Sequence, residues 1–367
     1  MFLHKFFHKS LKIFIGLNFV FFANLYKPFS FSVMASQSQL DHLASLFFQE
    51  GKATDQMVKL LGFTGIRVQD DLSAPNPSWP EPKLIIPSRT LEDITKAIQG
   101  KFDPHITWII KGERWEARDL SYINLSFNQQ KDILHIILQR LSMGEEIVPQ
   151  RKNYSGILFL GTTLMNGRNR LAYLNQTFEN HLDLTSGEIW LLTGIRPLSP
   201  AIGETEENLL NPQGKICVRK DWNPTDKPIP KDEGAMIQWM FSQSLSDLIP
   251  LDKIKVVYAE MGKERTRATT ETTVISWLKE YAPPSGTYLF ISSQPFVLYQ
   301  GLVLERVLLE NERPDIIVEG IGSPIPSDMR KETIKPDPMS KQVSVLLDSI
   351  ARICYELCRL KELKNQK

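Results

Sequence analysis

Three carboxylates and a run of hydroxyls stand in this chain where simple packing would not place them. Glu260 closes the strand-like run KVVYAE, Glu233 opens the helical stretch EGAMIQWMF, and Glu271 lies within TRATTETT, Thr266 to Thr273, which holds five threonines in eight residues. An acid at the end of a buried strand has no packing reason to be there. Two acids converging on one edge can orient a ribose or another hydroxyl-bearing ligand, or act as base and acid, so Glu260, Glu233 and Glu271 are the candidate catalytic residues. The helix dipole alone also favours an acid at Glu233.

Threonine is a stiff, middling helix former, so the cluster is an odd way to begin a core helix. Between a strand and its helix, the hydroxyls of Thr266, Thr269 and Thr270 lie beside backbone N–H groups that attract an anion or polar ligand. Thr269 also suits the N-cap itself. A capping box is not expected, because the residue three before Glu271 is Ala268. That leaves Glu271 to pair with Arg267 one turn earlier. Arg168 and Arg170, in GTTLMNGRNR, can clamp a phosphate or carboxylate, or lie on a solvated helix face.

The elements that must position these groups are legible from Gly156 onward. Five short apolar runs, ILFLG, IWLLTG, KVVYAE, YLFISS and DIIVEG, have the length and β-branched content of buried strands. Helical patterns separate them, over about 168–181, 232–248, 269–281 and 296–309. Strands apolar on both faces and alternating with helices imply an α/β fold, a doubly wound, Rossmann-like, mostly parallel five-stranded sheet. Ligands of such sheets bind outside the carboxyl ends of the strands, which selects five loops: GTTLMNGRNR, the long segment opened by TGIRPLSP, AEMGKERTRATTE, SSQPFVLYQ and EGIGSPIPS. The second of these is too long for a simple connection and is a candidate lid.

At these loops the order of motifs resembles the YdcF/SanA/ElyC-like family, the bacterial domain of unknown function family numbered 218. ILFLGTT followed by GRNRL resembles its first strand, glycine turn and helix-opening arginine, which the resemblance places at Gly161, Thr162 and Arg168 or Arg170. LLTG matches a Ser-Gly-Gly turn at Thr193 and Gly194, and KDEGAMIQWMF resembles the helix that begins at Glu233. IPLDKIKVVYAE is similar to the segment ending at Glu260. TRATTETT falls where the family writes Ser-x-Asn-Thr-x-Glu-Asn, with Thr266, Thr269 and Glu271 in register. Ala268 and Thr272 replace its two asparagines, while Phe296 and Tyr299 stand where many members carry histidine and arginine. The resemblance covers about 132–323. It implies a Rossmann-like small-molecule-binding protein or enzyme linked to the bacterial envelope, with S-adenosylmethionine or a phosphorylated nucleotide or lipid as ligand. The ligand-binding residues expected are Gly161, Thr162, Arg168, Arg170, Thr193, Gly194, Arg267, Thr269 and Ser293.

The rest of the chain narrows the field. With 367 residues and 42% apolar content it can bury a real core, and a net charge of +1 gives no basic field, so nucleic acid is not expected as a partner. Cys217, Cys354 and Cys358 lack zinc-like spacing, and no metal is expected. His42, His105, His135 and His181 have no close pairing. There is no G-x-S-x-G elbow, P-loop or H-E-x-x-H helix, and GTTLMNG is not a dinucleotide fingerprint.

Residues 1–35 carry lysines, a Phe-rich run and SVMA, the pattern of an export signal cleaved after Ala35 or of a short membrane anchor. An exported, periplasmic or membrane-anchored location is expected, with membrane association through this segment, or a cytoplasmic one if Met34 is the true start. Residues 36–150 read as a mainly helical region with a proline-rich linker at APNPSWPEPK. There SRTLEDITKAI is a helix with a capping box at Thr90 and Asp93, and KDILHIILQRLSMGEEI is one apolar helix. Residues 151–326 form the Rossmann-like domain. Residues 327–367 form a linker and a helix whose stripe, Val343, Leu346, Leu347, Ile350, Ile353, Cys354, Leu357 and Leu360, docks on the core. The alternative to a small-molecule site is a non-catalytic domain with a degenerate pocket, whose long loop and amino-terminal helices bind a protein partner.

Overall fold

The computed structural model describes residues 38–69, 82–110, 125–181, 187–212, 216–225, 227–259, 268–325 and 336–366. Residues 39–367 form one compact unit. Helix α1 (Gln39–Ser45) is followed by a small antiparallel pair, β1 (Phe48–Gln49) and β2 (Lys52–Ala53), and then by α2 (Asp55–Phe63). A parallel pair, β3 (Ile66–Val68) and β4 (Leu84–Ile86), precedes α3 (Leu91–Ile98) and α4 (Phe127–His135). The amino-terminal region therefore holds two small sheets as well as its expected helices.

The long apolar helix expected from Lys131 is broken. α4 starts earlier, on a capping box between Ser126 and Gln129, and after His135 the chain widens into a π turn, Ile136–Arg140. Ser142 then takes a positive φ of 52° and stops it. At α3, Thr90 caps as expected, accepting the Asp93 N–H, but the Asp93 carboxylate accepts from Ser88 instead of closing the box.

All five strands read from the sequence are present: β5 (Gly156–Leu160), β6 (Glu188–Gly194), β7 (Ile254–Ala259), β8 (Gly286–Ser293) and β9 (Ile316–Ser323). They make one parallel sheet in the order β7-β6-β5-β8-β9. The chain winds outward from β5 to one side and then to the other, so the sheet has a switch point beside β5, where its loops part. The helices that cover it are α5 (Leu164–His181), α7 (Glu233–Ser244), α8 (Thr270–Tyr281) and α9 (Val297–Glu310), while a short α6 (Glu206–Leu210) lies in the long loop and α10 (Pro336–Asn365) packs on α9, α3 and α4.

The two-residue period of β5 sorts its side chains into two cores. Ile157 and Phe159 join Leu171, Leu174, Ile237 and Phe241 under α5 and α7. Leu158 and Leu160 face the opposite way, with Trp190, Trp277, Tyr288 and Phe290. This second core continues into the amino-terminal region through Leu40, Phe47 and Met57, and into α10 through Val343, Leu347 and Ile350. Gln39 ties the ends together, donating to the Gly320 carbonyl at 2.9 Å and accepting the Gly320 N–H at 2.8 Å. No helix among the described residues is long and apolar enough to cross a membrane.

Candidate functional site

A cavity of about 430 Å³ opens at the carboxyl ends of β5 and β6. Its floor is Leu160, Gly161, Thr193 and Gly194, its walls are the first turns of α5, α7 and α8, and Tyr299 and Gln300 of α9 and Arg352 of α10 complete its lining. The parallel sheet builds this place, because every strand points its carboxyl end and the following helix points its amino end to the same edge.

Arg170 lies on the inward face of α5 and is only 3% exposed. Its Nη1 donates to the Leu160 carbonyl at 2.9 Å, and Nε and Nη2 each reach Ser293 Oγ at 3.4 Å. Burial pulls this guanidinium down to about 10, while the Glu233 carboxylate acts in the opposite sense. Ser293 thus steadies the cation instead of lining the cavity. Glu233 sits in the first turn of α7, whose cap is Asp232 accepting from the Ala235 N–H. Its Oε2 lies 3.4 Å from Arg196 Nε, and Arg196 is clasped by Glu204 through two bonds of 2.7 Å. Although burial opposes its charge, Arg196 is held above its usual range by hydrogen bonds and charge from Glu204 and Glu233. Glu204 also accepts the Ser199 N–H at 2.8 Å, so this ion pair folds the start of the long loop against the site. Ile202, from the 3-10 turn within that loop, lines the cavity.

The threonine cluster has a double use. Thr269 caps α8 by accepting the Thr272 N–H at 3.3 Å, and Thr272 Oγ1 accepts the Thr269 N–H at 2.8 Å, closing a capping box that the Glu271 register had excluded. Threonine can close the box because its hydroxyl both accepts from the Thr269 N–H and donates to the Thr269 carbonyl. Thr269, Thr270 and Thr273 line the cavity. Ala268 packs on Gly194 so closely that a Cβ at 194 would meet the alanine Cβ at 2.8 Å, which brings the start of α8 onto the end of β6.

Gly161, Thr162, Arg170, Thr193, Gly194, Glu233 and Thr269 therefore line one cavity. Besides Ser293, two described residues of the expected set do not. Arg168 is buried, but its Nη2 donates to the carbonyls of Asn208 at 2.6 Å and Leu209 at 3.3 Å, away from the cavity. Two steps along the helix, a rotation of about 200°, place it and Arg170 on different sides of α5. Glu271 bonds Arg306 of α9 at 3.1 Å, in a network with Glu310 and Glu356, so it joins helices and is not in the site. Glu260, Arg267 and Thr266 lie outside the described residues. The chain matches no family model, no curated protein and no solved structure.

Sequence reasoning missed Thr163, Asn166, Arg196, Tyr299, Gln300 and Arg352 as cavity residues. Arg196 carried a usable signal, being the first cation after a predicted strand end. Arg352 carried none, since it lies in a helix that reads as a docking element. Three arginines, one carboxylate, threonine hydroxyls and three helix starts can together hold an anion and accept from a ligand hydroxyl. No histidine, cysteine or lysine is among the described residues lining the cavity. The described residues contain no group of acids, histidines and cysteines that could hold a metal ion.

Proposed function

We propose that this protein is a Rossmann-like small-molecule-binding protein of the YdcF/SanA/ElyC-like kind, whose cavity takes an anionic, hydroxyl-bearing ligand of the phosphorylated nucleotide or lipid class. The observation that carries this reading is the convergence of Arg170, Arg196 and Arg352 with Glu233 on one cavity at the strand ends. Arg170 supports it most strongly, since a desolvated cation without a bidentate carboxylate partner gains from an incoming anion. Glu233 supplies the acceptor for a ligand hydroxyl, and the α8 threonines supply short-range donors. The order of the motifs along the chain supports the family assignment. The resemblance lacks an arginine at Tyr299, and Arg352 enters the cavity beside that residue from another helix.

The test is thermal unfolding of the full-length protein with S-adenosylmethionine, nucleotides, sugar phosphates and polyprenyl phosphates, because a ligand that binds only the folded state raises the transition. A shift with a phosphorylated compound that vanishes in Arg170→Gln and shrinks in Glu233→Gln is expected. No shift with any of them removes this reading.

A second reading, binding without catalysis, is favoured by the lining itself, in which Glu233 is the sole carboxylate among the described residues and no strong nucleophile is present. Under it, Glu233→Gln alters affinity for the ligand but leaves the ligand chemically unchanged on prolonged incubation, as does the wild type. Turnover detected by mass spectrometry overturns it.

A further inference from the structure

The C-terminal helix does more than pack on α9, α3 and α4. α10 buries Val343, Leu346, Leu347, Ile350 and Ile353 in the second core, and that stripe accounts for its docking. Val345 and Arg352 lie off the stripe and line the cavity. Arg352 is fixed from two sides. Its Nε donates to Asp348 Oδ2 at 2.8 Å, and Asp348, with no exposed side chain, accepts the Ile110 N–H on its other oxygen at 3.0 Å. The guanidinium carbon stands 5.9 Å from the centroid of the Tyr299 ring, in the first turn of α9. With Nε bound to the acid and the ring beside it, the guanidinium has lost much of its rotamer freedom before a ligand arrives. Roughly a third of the side chain stays exposed, which a mere counter-ion for Asp348 would not require.

We propose that Arg352 is a second ligand contact, holding a carboxylate or phosphate at the α9 and α10 side of the cavity while Arg170 holds the first anionic group at the strand ends. The ligand class is then a small molecule with two separated anionic groups, and α10 is part of the site. This rests on the reading of the cavity as an anion site. The volume of about 430 Å³ is in the range of pockets for such molecules.

The experiment compares fructose 6-phosphate with fructose 1,6-bisphosphate by calorimetric titration of the full-length protein. The bisphosphate binds wild type about tenfold more tightly, the worth of one added charge-assisted contact. Arg352→Gln erases that ratio by weakening the bisphosphate about tenfold more than the monophosphate. Because Arg352→Gln strands a buried acid, the double variant Asp348→Asn with Arg352→Gln is measured too, and it gives the same pattern in a folded protein. Hydrogen exchange across 345–355 slows with the bisphosphate in wild type only. Equal affinity of wild type for the two sugars overturns the proposal, as does a ratio that survives in the double variant. Failure of Arg170→Gln to weaken either sugar removes the underlying anion site instead, so the two failures are distinguishable.

Discussion

Glu233 and Gly161 share one volume at the strand ends: Oε1 of the acid occupies the space that a Cβ on residue 161 would need. The absence of a side chain at the end of β5 is what lets the first turn of α7 bring its carboxylate over the sheet. Gly161→Ala must also press on the Leu192 carbonyl at 3.0 Å. The expected cost is about 1–3 kcal/mol of stability, as for an overpacked core site. Chemical denaturation checks it, and the ligand-induced shift should be lost as Glu233 is displaced.

Arg168 and Arg170 should separate cleanly. Arg168→Met removes the donor to the Asn208 carbonyl and leaves that acceptor without its partner. A loss of about 1–3 kcal/mol is expected, with the affinity for anionic ligands unchanged. Arg170→Met should weaken ligand binding. Denaturant midpoints and titration of both variants decide the matter, and equal effects on binding would place Arg168 in the site after all.

The pH dependence follows from the depressed value of Arg170, near 10. A cation whose folded value is below its unfolded one opposes folding while charged, and this cost fades as pH rises from the folded value to the unfolded one. Loss of its proton therefore does not destabilise the protein, but it removes the cation that an anion needs. Binding of sulfate, whose charge is constant here, should hold steady from about pH 7 to 9 and weaken about tenfold by about pH 11. Arg170→Gln should flatten the profile.

The threonine box can be tested apart from the cavity. Thr272→Val keeps the shape but removes the hydroxyl that accepts the Thr269 N–H. A loss of about 1 kcal/mol is expected, typical of a helix cap. Thermal unfolding measures it, and the ligand affinity should stay within about twofold, because Thr272 does not line the cavity.

Thiol chemistry reads the packing of α10. Cys354 is fully buried and its thiol is pushed well up by desolvation, and Cys358 is raised for the same leading reason, whereas Cys217 is exposed. Since the thiolate is the reactive form, iodoacetamide should label Cys217 first, Cys358 slowly and Cys354 only on denaturation. Peptide mass spectrometry with time resolves the order, and early labelling of Cys354 would show that α10 opens readily.

The β sheet was legible because its signal is local. ILFLG, IWLLTG, KVVYAE, YLFISS and DIIVEG are apolar on both faces, and strands covered on both sides by helices leave that pattern in any sequence. The edge that carries the site was legible too, since a parallel sheet has one carboxyl end, and Gly161, Thr193, Glu233 and Thr269 all lie at a strand end or a helix start. Side-chain direction was less accessible. Arg168 and Arg170 differ by two positions on one helix, and only the placement of the long loop decides which is buried under carbonyls and which faces the cavity. Glu271 was drawn from the cavity by Arg306, which lies 35 residues further on. Arg352 shows the limit most clearly. Composition and spacing assign its helix to docking, and no local pattern tells that the face beside Tyr299 lines a cavity whose floor lies far earlier in the chain. Local periodicity determined the elements and the edge, whereas long-range packing decided which charges meet there, because a helix's rotation against its neighbours is set by the whole core and not by its own residues.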